Sequence, residues 1–176
     1  MAAQNSSEFQ NVLAAWIARD SNRKPARMNF SEGWAALNTY NIDRLVRAAN
    51  MFDLLPDDDL GPPISTDPEV LAAATQAKRI LRKLPRSDQR DSVIAAISRL
   101  GSKTLREKIS ARAAIVTAAI DNRLDSILDV VSIAVNCRNY YVHGADAKIE
   151  YDKYYFETVP FLTDTLEFVF AASDLI

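Results

Sequence analysis

The only histidine of the chain, His143, stands close to two polar residues that can act on a phosphate. Arg138 and Asn139 precede it by five and four positions. Histidine accepts or donates protons near neutral pH, and arginine can donate two parallel hydrogen bonds to phosphate oxygens. Asn139 can orient the imidazole or the phosphate. These residue types suit RNA cleavage in which the 2′-hydroxyl attacks the neighbouring phosphate and leaves a 2′,3′-cyclic phosphate.

Helix geometry decides whether these three side chains can meet. Residues four apart differ by about 40° around a helix, so Asn139 and His143 share a face. Residues five apart differ by about 140°, so we expect Arg138 and His143 to converge only if the helix unwinds near Val142, which Gly144 permits. The competing interpretation is an ordinary helix end at which Arg138 and His143 act as capping or surface residues.

Several common catalytic signatures are missing from the sequence. It contains no Gly-rich phosphate loop, dinucleotide fingerprint or His-Glu-x-x-His motif. One Cys and one His cannot build a typical structural zinc site. Cys137 lies six positions before His143, about 240° away beyond one turn, so we expect a small core residue rather than a nucleophile. The sequence therefore predicts neither a metal nor another cofactor.

The composition favours a helical protein of the cytoplasm. The chain has 176 residues, 48% hydrophobic residues and only four glycines, which predicts one all-α domain over residues 1–176. The lone cysteine excludes an internal disulfide and indicates a reducing compartment. No apolar run reaches the length of a membrane span, and the N-terminus lacks a signal pattern.

The charges are distributed unevenly along the chain. Residues Lys78 to Arg112 hold eleven basic and three acidic residues, whereas the rest of the chain holds ten basic and twenty acidic ones. Such asymmetry can steer a polyanion to one surface. A solvated helix face explains the same pattern equally well.

Apolar periodicity and capping residues predict a series of helices. In chain order these cover about 6–17, 31–55, 67–83, 87–100, 102–119 and 123–141, with a last helix through 161–170 that has Pro160 in or near its first turn. The stretch Ser21–Phe30, with Pro25, is predicted as a basic loop, and 56–67, 121–122 and 145–153 as loops or breaks. The helix that ends at Gly144 is apolar almost all round from Ile127 to Cys137, so we expect it to be central.

The segment Arg138-Asn139-Tyr140-Tyr141-Val142-His143-Gly144 resembles the motif of the HEPN superfamily, in its Apea-like branch. In that motif an Arg, a polar residue and a later His stand near the end of a late bundle helix. The flanking order agrees as well, since a helical hairpin precedes the segment and an apolar helix follows it.

The resemblance implies an up-and-down helical bundle with extra N-terminal helices, which forms a homodimer in which the two motif helices face each other. It also implies a metal-independent endoribonuclease that acts on single-stranded or loop RNA in a defence or toxin context. Arg138 and His143 match its catalytic positions, and Asn139 its polar second position. One chain supplies one imidazole, so a pair of acid and base histidines requires a dimer. The alternatives are a non-catalytic HEPN-type module that dimerises or binds a nucleotide or partner, and an unrelated helical interaction protein.

Two further expectations concern the neighbours of the motif. Tyr140 and Tyr141 can stack on unpaired RNA bases, although packing in the core or at a dimer interface is the favoured role. The apolar end Asp174-Leu175-Ile176 has no capping glycine. This ending is consistent with a segment of a longer protein, in which a sensor domain or regulatory partner would accompany this one.

Overall fold

The computed structural model describes residues 6–36, 39–60, 67–120, 124, 126–147 and 149–176. Within these residues every regular element is helical, which confirms the predicted all-α class. The helices are α1 (Ser6–Ala18), α2 (Asp20–Ala35), α3 (Ile42–Asn50), α4 (Pro68–Leu81), α5 (Asp88–Ser98), α6 (Leu105–Ala119), α7 (Ile127–His143) and α8 (Tyr155–Leu175), with short 3-10 helices at Met51–Leu54 and Asp57–Leu60.

The chain divides into two compact units. The larger comprises Met1–Gly61 and Leu105–Ile176, and the smaller comprises Pro62–Thr104. In the smaller unit α4 packs against α5. Asp67 caps α4 with its side chain, as its position before Pro68 predicts. The sequence offers Ser87 or Asp88 as the cap of α5, and in the structure it is Ser87. The single domain predicted from the sequence stays a prediction.

Helix α7 lies at the centre of the larger unit, in contact with α3, α6 and α8. Its buried residues are Ile127, Val131, Ala134, Val135 and Cys137. The predicted central position is therefore confirmed. The helix is not covered on all sides, however, because Leu128 is exposed.

The stretch predicted as a basic loop, Ser21–Phe30, is helical, so that prediction was wrong. Helix α2 runs through it with Pro25 inside. A proline in a helix interior removes one backbone hydrogen bond and strains the preceding turn. Here the helix is held by tertiary contacts, since Arg23 and Arg27 are both buried and both bind the carboxylate of Asp174.

The predicted second helix, 31–55, is also corrected by the structure. Ser31 lies inside α2 instead of capping a helix. Asn41 caps α3 by accepting a hydrogen bond from the backbone N–H of Arg44, and α3 ends at Asn50, where a 3-10 helix follows. The sequence predicted one long helix because the apolar spacing continues from the end of α2 into α3.

The carboxylate of Asp174 connects three helices near the end of α8. Its oxygens lie 2.6 Å from Arg23 Nη1, 2.8 Å from Arg27 Nε and 3.1 Å from Trp16 Nε1. Burial acts to raise the pKa of Asp174, but the hydrogen bonds from Arg27 and Arg23 hold it below its ordinary value. Asp174, which the sequence presented only as part of an apolar end, thus joins α1 and α2 to α8.

The last helix is longer than the predicted span of 161–170, since α8 runs from Tyr155 to Leu175. The predicted break at 121–122 lies outside the described residues. Pro160 lies in the second turn of α8. None of the helices formed by the described residues combines the length and apolar character that crossing a bilayer requires.

Candidate functional site

Helix α7 carries the motif at its C-terminal end and stays helical through His143. Gly144 follows with φ 63°, in the left-handed region, and its N–H donates to the carbonyl of Tyr140 at 3.0 Å. That backbone conformation is costly for residues with a Cβ and cheap for glycine. The predicted stop at Gly144 is confirmed, and it leaves His143 at the exposed rim of the bundle.

Arg138 and His143 are in direct contact. The distance from Arg138 Nη1 to His143 Nε2 is 2.8 Å. The expectation that the helix must unwind near Val142 was wrong, because α7 is continuous across that residue. The arginine side chain is long enough to follow the helix surface over the rise of about 7.5 Å between the two residues.

This contact defines the tautomer of the imidazole. A guanidinium has only donors, so Arg138 Nη1 donates and His143 Nε2 accepts. The geometry therefore places a basic ring nitrogen and a fixed positive charge side by side.

Arg138 is held in place by two asparagines. Its Nη1 donates to Asn139 Oδ1 at 3.0 Å, and its Nη2 donates to Asn50 Oδ1 at 3.3 Å. Its Nε is buried and has no hydrogen-bond partner among the described residues. Its two terminal nitrogens therefore make all the hydrogen bonds that the described residues give this guanidinium.

Asn50 is a site residue that the sequence analysis missed. It is the last residue of α3 and lies 88 positions from Arg138. No local spacing relates the two residues, because the contact exists only once α3 packs on α7. The structure thus brings Asn139 and His143 each into contact with Arg138, and adds Asn50 as a further partner of Arg138.

Tyr140 and Tyr141 have a different partner from Arg138, the carboxylate of Asp152. Both are half-buried against the core, and their hydroxyls donate to the carboxylate of Asp152, at 2.6 Å and 3.0 Å. The hydrogen bond to Asp152 raises the pKa of Tyr140. Burial, followed by the same carboxylate, raises the pKa of Tyr141. Both tyrosines therefore have packing roles, and they fix the turn that carries Asp152.

Cys137 is fully buried in the core. Burial raises the pKa of its thiol to about 12. The thiolate is the reactive form of cysteine, so a neutral buried thiol fits the predicted core role. His143, by contrast, is exposed.

The basic residues of α6 differ in their surroundings. Arg112 is buried and donates to Ser173 Oγ at 3.0 Å, and burial lowers its pKa. Lys108 forms an ion pair with Asp53 at 2.8 Å. Arg106 is exposed, and its Nη2 donates to Asn136 Oδ1 at 2.6 Å. Two of these cations thus have structural partners, and Arg106 lies on the surface beside α7.

No group of three His, Cys, Asp or Glu side chains within the described ranges lies close enough together to hold a metal ion. The larger unit is a helical bundle whose central helix ends in adjacent Arg and His side chains, which is the arrangement of a HEPN-type domain. A family model described as Apea-like HEPN matches residues 46–176. This match covers well over half of the chain, so the protein belongs to the Apea-like HEPN family, and α1 and α2 precede the matched residues. Comparisons with curated proteins and with solved structures find no match.

Proposed function

We propose that the protein is a metal-independent endoribonuclease of the HEPN type that cleaves single-stranded or loop RNA. The observation that carries the proposal is the contact of 2.8 Å between Arg138 and the exposed His143. A proton-transferring ring beside a permanent cation is what phosphodiester cleavage by the 2′-hydroxyl requires. Family membership supports the same class of activity.

Each residue has a defined part in the proposed reaction. When RNA binds, Arg138 Nη1 releases His143 and donates to the phosphate. The freed Nε2 of His143 accepts the proton of the 2′-hydroxyl, whose oxygen bonds to phosphorus as the bond from phosphorus to the 5′-oxygen breaks. The leaving 5′-oxygen takes a proton from a second imidazole. Arg138 stabilises the negative charge on the phosphate, and Asn139 and Asn50 hold Arg138 in position.

The second imidazole comes from a second copy of the chain, because this sequence contains one histidine. The proposed active form is therefore a homodimer in which two ends of α7 face one cleft. A subunit-mixing experiment tests this point. If each cleft needs both imidazoles, excess His143→Ala protein will draw wild-type chains into inactive mixed dimers. Activity that stays proportional to the amount of wild-type chain would contradict the composite cleft.

The direct test is incubation of the purified protein with total RNA in excess chelator. We expect cleavage that leaves 2′,3′-cyclic phosphate ends, and we expect His143→Ala and Arg138→Ala to lose at least about a hundredfold in rate. Arg47→Ala is the matched arginine control, because Arg47 pairs with Glu32 at an exposed position on α3. Cleavage that disappears with the chelator would refute the proposal.

The competing function is a HEPN module that binds RNA, a nucleotide or a partner without cleaving. It predicts folded protein with no RNA turnover, and no difference between wild type and His143→Ala in the cleavage assay. The proposed setting is cytoplasmic defence or toxicity, with a sensor domain or partner protein as regulator. In that setting induced wild-type protein, but not His143→Ala, will degrade cellular RNA and stop growth.

A further inference from the structure

A cleft of about 390 Å³ opens beside Tyr140, one helical turn before His143. Its lining includes Tyr140, Ile149, Tyr151 and Asp152. Clefts of this volume hold small ligands of the size of a nucleoside. The cleft lies within the larger unit and is separate from the contacts that hold Arg138.

Two aromatic rings form part of this cleft. Tyr151 is almost fully buried, and its ring centroid lies 5.6 Å from that of Tyr140. Tyr140 is half-buried, so its ring is partly open to the cleft. The ring of Tyr140, supported by the buried ring of Tyr151, offers a rigid surface on which a nucleic-acid base can stack, since every base presents a π-face.

The carboxylate of Asp152 gives the cleft a chemical preference. Each of its oxygens accepts one tyrosine hydroxyl, from Tyr140 at 2.6 Å and from Tyr141 at 3.0 Å. An ionised carboxylate has about four lone-pair sites, so acceptor capacity remains on both oxygens. The two tyrosines also fix the orientation of the carboxylate. The cleft therefore offers a prearranged pair of acceptors.

Guanine matches this pair better than the other bases do. Its Watson–Crick edge carries two adjacent N–H donors, at N1 and N2, which can both reach one carboxylate. Adenine and cytosine place an acceptor beside their amino group, and uracil places one N–H between two carbonyls. Opposite an ionised carboxylate those acceptors are repelled and lose their hydrogen bonds to water.

A cation on the neighbouring helix α6 lies beside α7, near the cleft. Arg106 donates to Asn136, and Asn136 stands four residues before Tyr140 and seven before His143, so these three residues lie along one face of α7. Arg106 is also close enough to Tyr151 to oppose the rise that burial causes in the pKa of that tyrosine. Arg106 is thus placed to bind a phosphate of an RNA strand that follows α7.

We propose that this cleft binds the guanine base next to the cleaved phosphate of an RNA strand, with Tyr140 stacking on the base, Asp152 accepting its two N–H groups and Arg106 binding a neighbouring phosphate. The inference rests on the proposed ribonuclease function and adds a base preference to it. It assigns base specificity to the cleft beside Tyr140 and cleavage to the pair of Arg138 and His143.

The test measures binding in a His143→Ala background, so that no cleavage interferes. Fluorescence anisotropy compares four single-stranded RNAs that differ only at one central base. We expect the guanine-containing RNA to bind about tenfold more tightly, which corresponds to one good bidentate contact. Asp152→Asn will remove the preference. Tyr140→Ala will weaken binding of all four RNAs. Tyr140→Phe will keep the stacking and reduce the guanine preference, because phenylalanine keeps the ring and loses the hydroxyl that holds Asp152.

Two further variants separate specificity from general affinity. Arg106→Ala will weaken all four RNAs by the same factor, since phosphate contacts carry no base information. Tyr154→Ala is the control, because Tyr154 is an exposed tyrosine on the same turn that does not line the cleft. Thermal melting of each variant identifies any that fail to fold. If Asp152→Asn does, the reduced guanine preference of Tyr140→Phe still tests the role of the carboxylate that its hydroxyl holds.

Equal affinity for the four RNAs would overturn the proposal. Competition by guanosine monophosphate as strong as that by the guanine-containing RNA would assign the cleft to a free nucleotide and would also overturn it. Wild-type cleavage is assayed in parallel. Cleavage without a base preference refutes the guanine site alone, whereas a guanine preference without any cleavage refutes the nuclease and leaves a guanine-binding cleft.

Discussion

Arg44 and Glu167 form a buried, two-pronged ion pair that joins α3 to α8. Arg44 Nε lies 2.9 Å from Glu167 Oε1, and Nη2 lies 2.8 Å from Oε2. The hydrogen bonds to Glu167 raise the pKa of Arg44 against the opposing effect of burial. Because Asn50 ends the helix that Arg44 anchors, the pair also determines where the acceptor for Arg138 lies.

Breaking this pair is expected to destabilise the fold strongly. Glu167→Ala leaves the Arg44 guanidinium buried without its partner, which costs about 3–5 kcal/mol of unfolding free energy. The exposed pair of Arg47 and Glu32 is the matched comparison, and Arg47→Ala should cost about 1 kcal/mol at most. Urea denaturation of both variants measures the difference, and equal losses would show that the buried pair has no special role.

Gly144 is expected to tolerate other residues only at a backbone cost. Its φ is +63°, and a Cβ built there meets nothing within 4 Å, so Gly144→Ala adds strain without a clash. The loss should be about 1 kcal/mol, and Gly144→Asn should lose less because asparagine adopts this conformation more readily. Thermal denaturation measures both variants, and an alanine variant as stable as wild type would contradict the prediction.

Asn50 is expected to act as a positioning residue for Arg138. If the proposed nuclease is active, Asn50→Ala should lower kcat about tenfold by removing one acceptor of the guanidinium, with little change in KM. Asn50→Asp keeps an oxygen acceptor at the same place and should restore the orientation of Arg138. Cleavage kinetics and a melting curve measure each variant. A parallel loss of stability and activity would indicate a purely structural role instead.

Cys137 is expected to resist alkylation in the folded protein. Burial raises the pKa of its thiol to about 12, so the native protein holds almost no thiolate near pH 8. The sign for stability follows from the same shift. An unfolded thiol ionises near pH 8.5. Below that pH the neutral thiol of Cys137 makes its full contribution to the free energy of unfolding. That contribution is lost as the pH rises towards 12, because only the unfolded chain then gains from ionisation. Iodoacetamide labelling of native and urea-unfolded protein checks the prediction, and rapid labelling of the native protein would contradict it.

Local signals in the sequence sufficed for several elements of the fold. The caps at Asp67 and Ser87 and the stop at Gly144 were predicted because each depends on a residue and its immediate neighbours. The central position of α7 was predicted because its apolar run leaves no wide polar face. The predicted boundaries of α2 and α3 were wrong. Pro25 suggested a loop, and the apolar spacing near residue 40 suggested one continuous helix. The tertiary contacts that hold α2 together cannot be seen in the sequence.

The candidate site likewise combines residues that the sequence identifies with contacts that form only in the folded chain. The sequence by itself determined the motif residues Arg138, Asn139 and His143, and through them the family, because their types and spacing lie within one helix. Only the tertiary structure decided that Arg138 contacts His143 on an unbroken helix and that Asn50 accepts a hydrogen bond from the guanidinium. It also decided that the carboxylate of Asp152 accepts hydrogen bonds from the hydroxyls of Tyr140 and Tyr141. The reason is physical: a contact between distant segments forms only when helices pack, and no periodicity within one segment encodes which partner will face it.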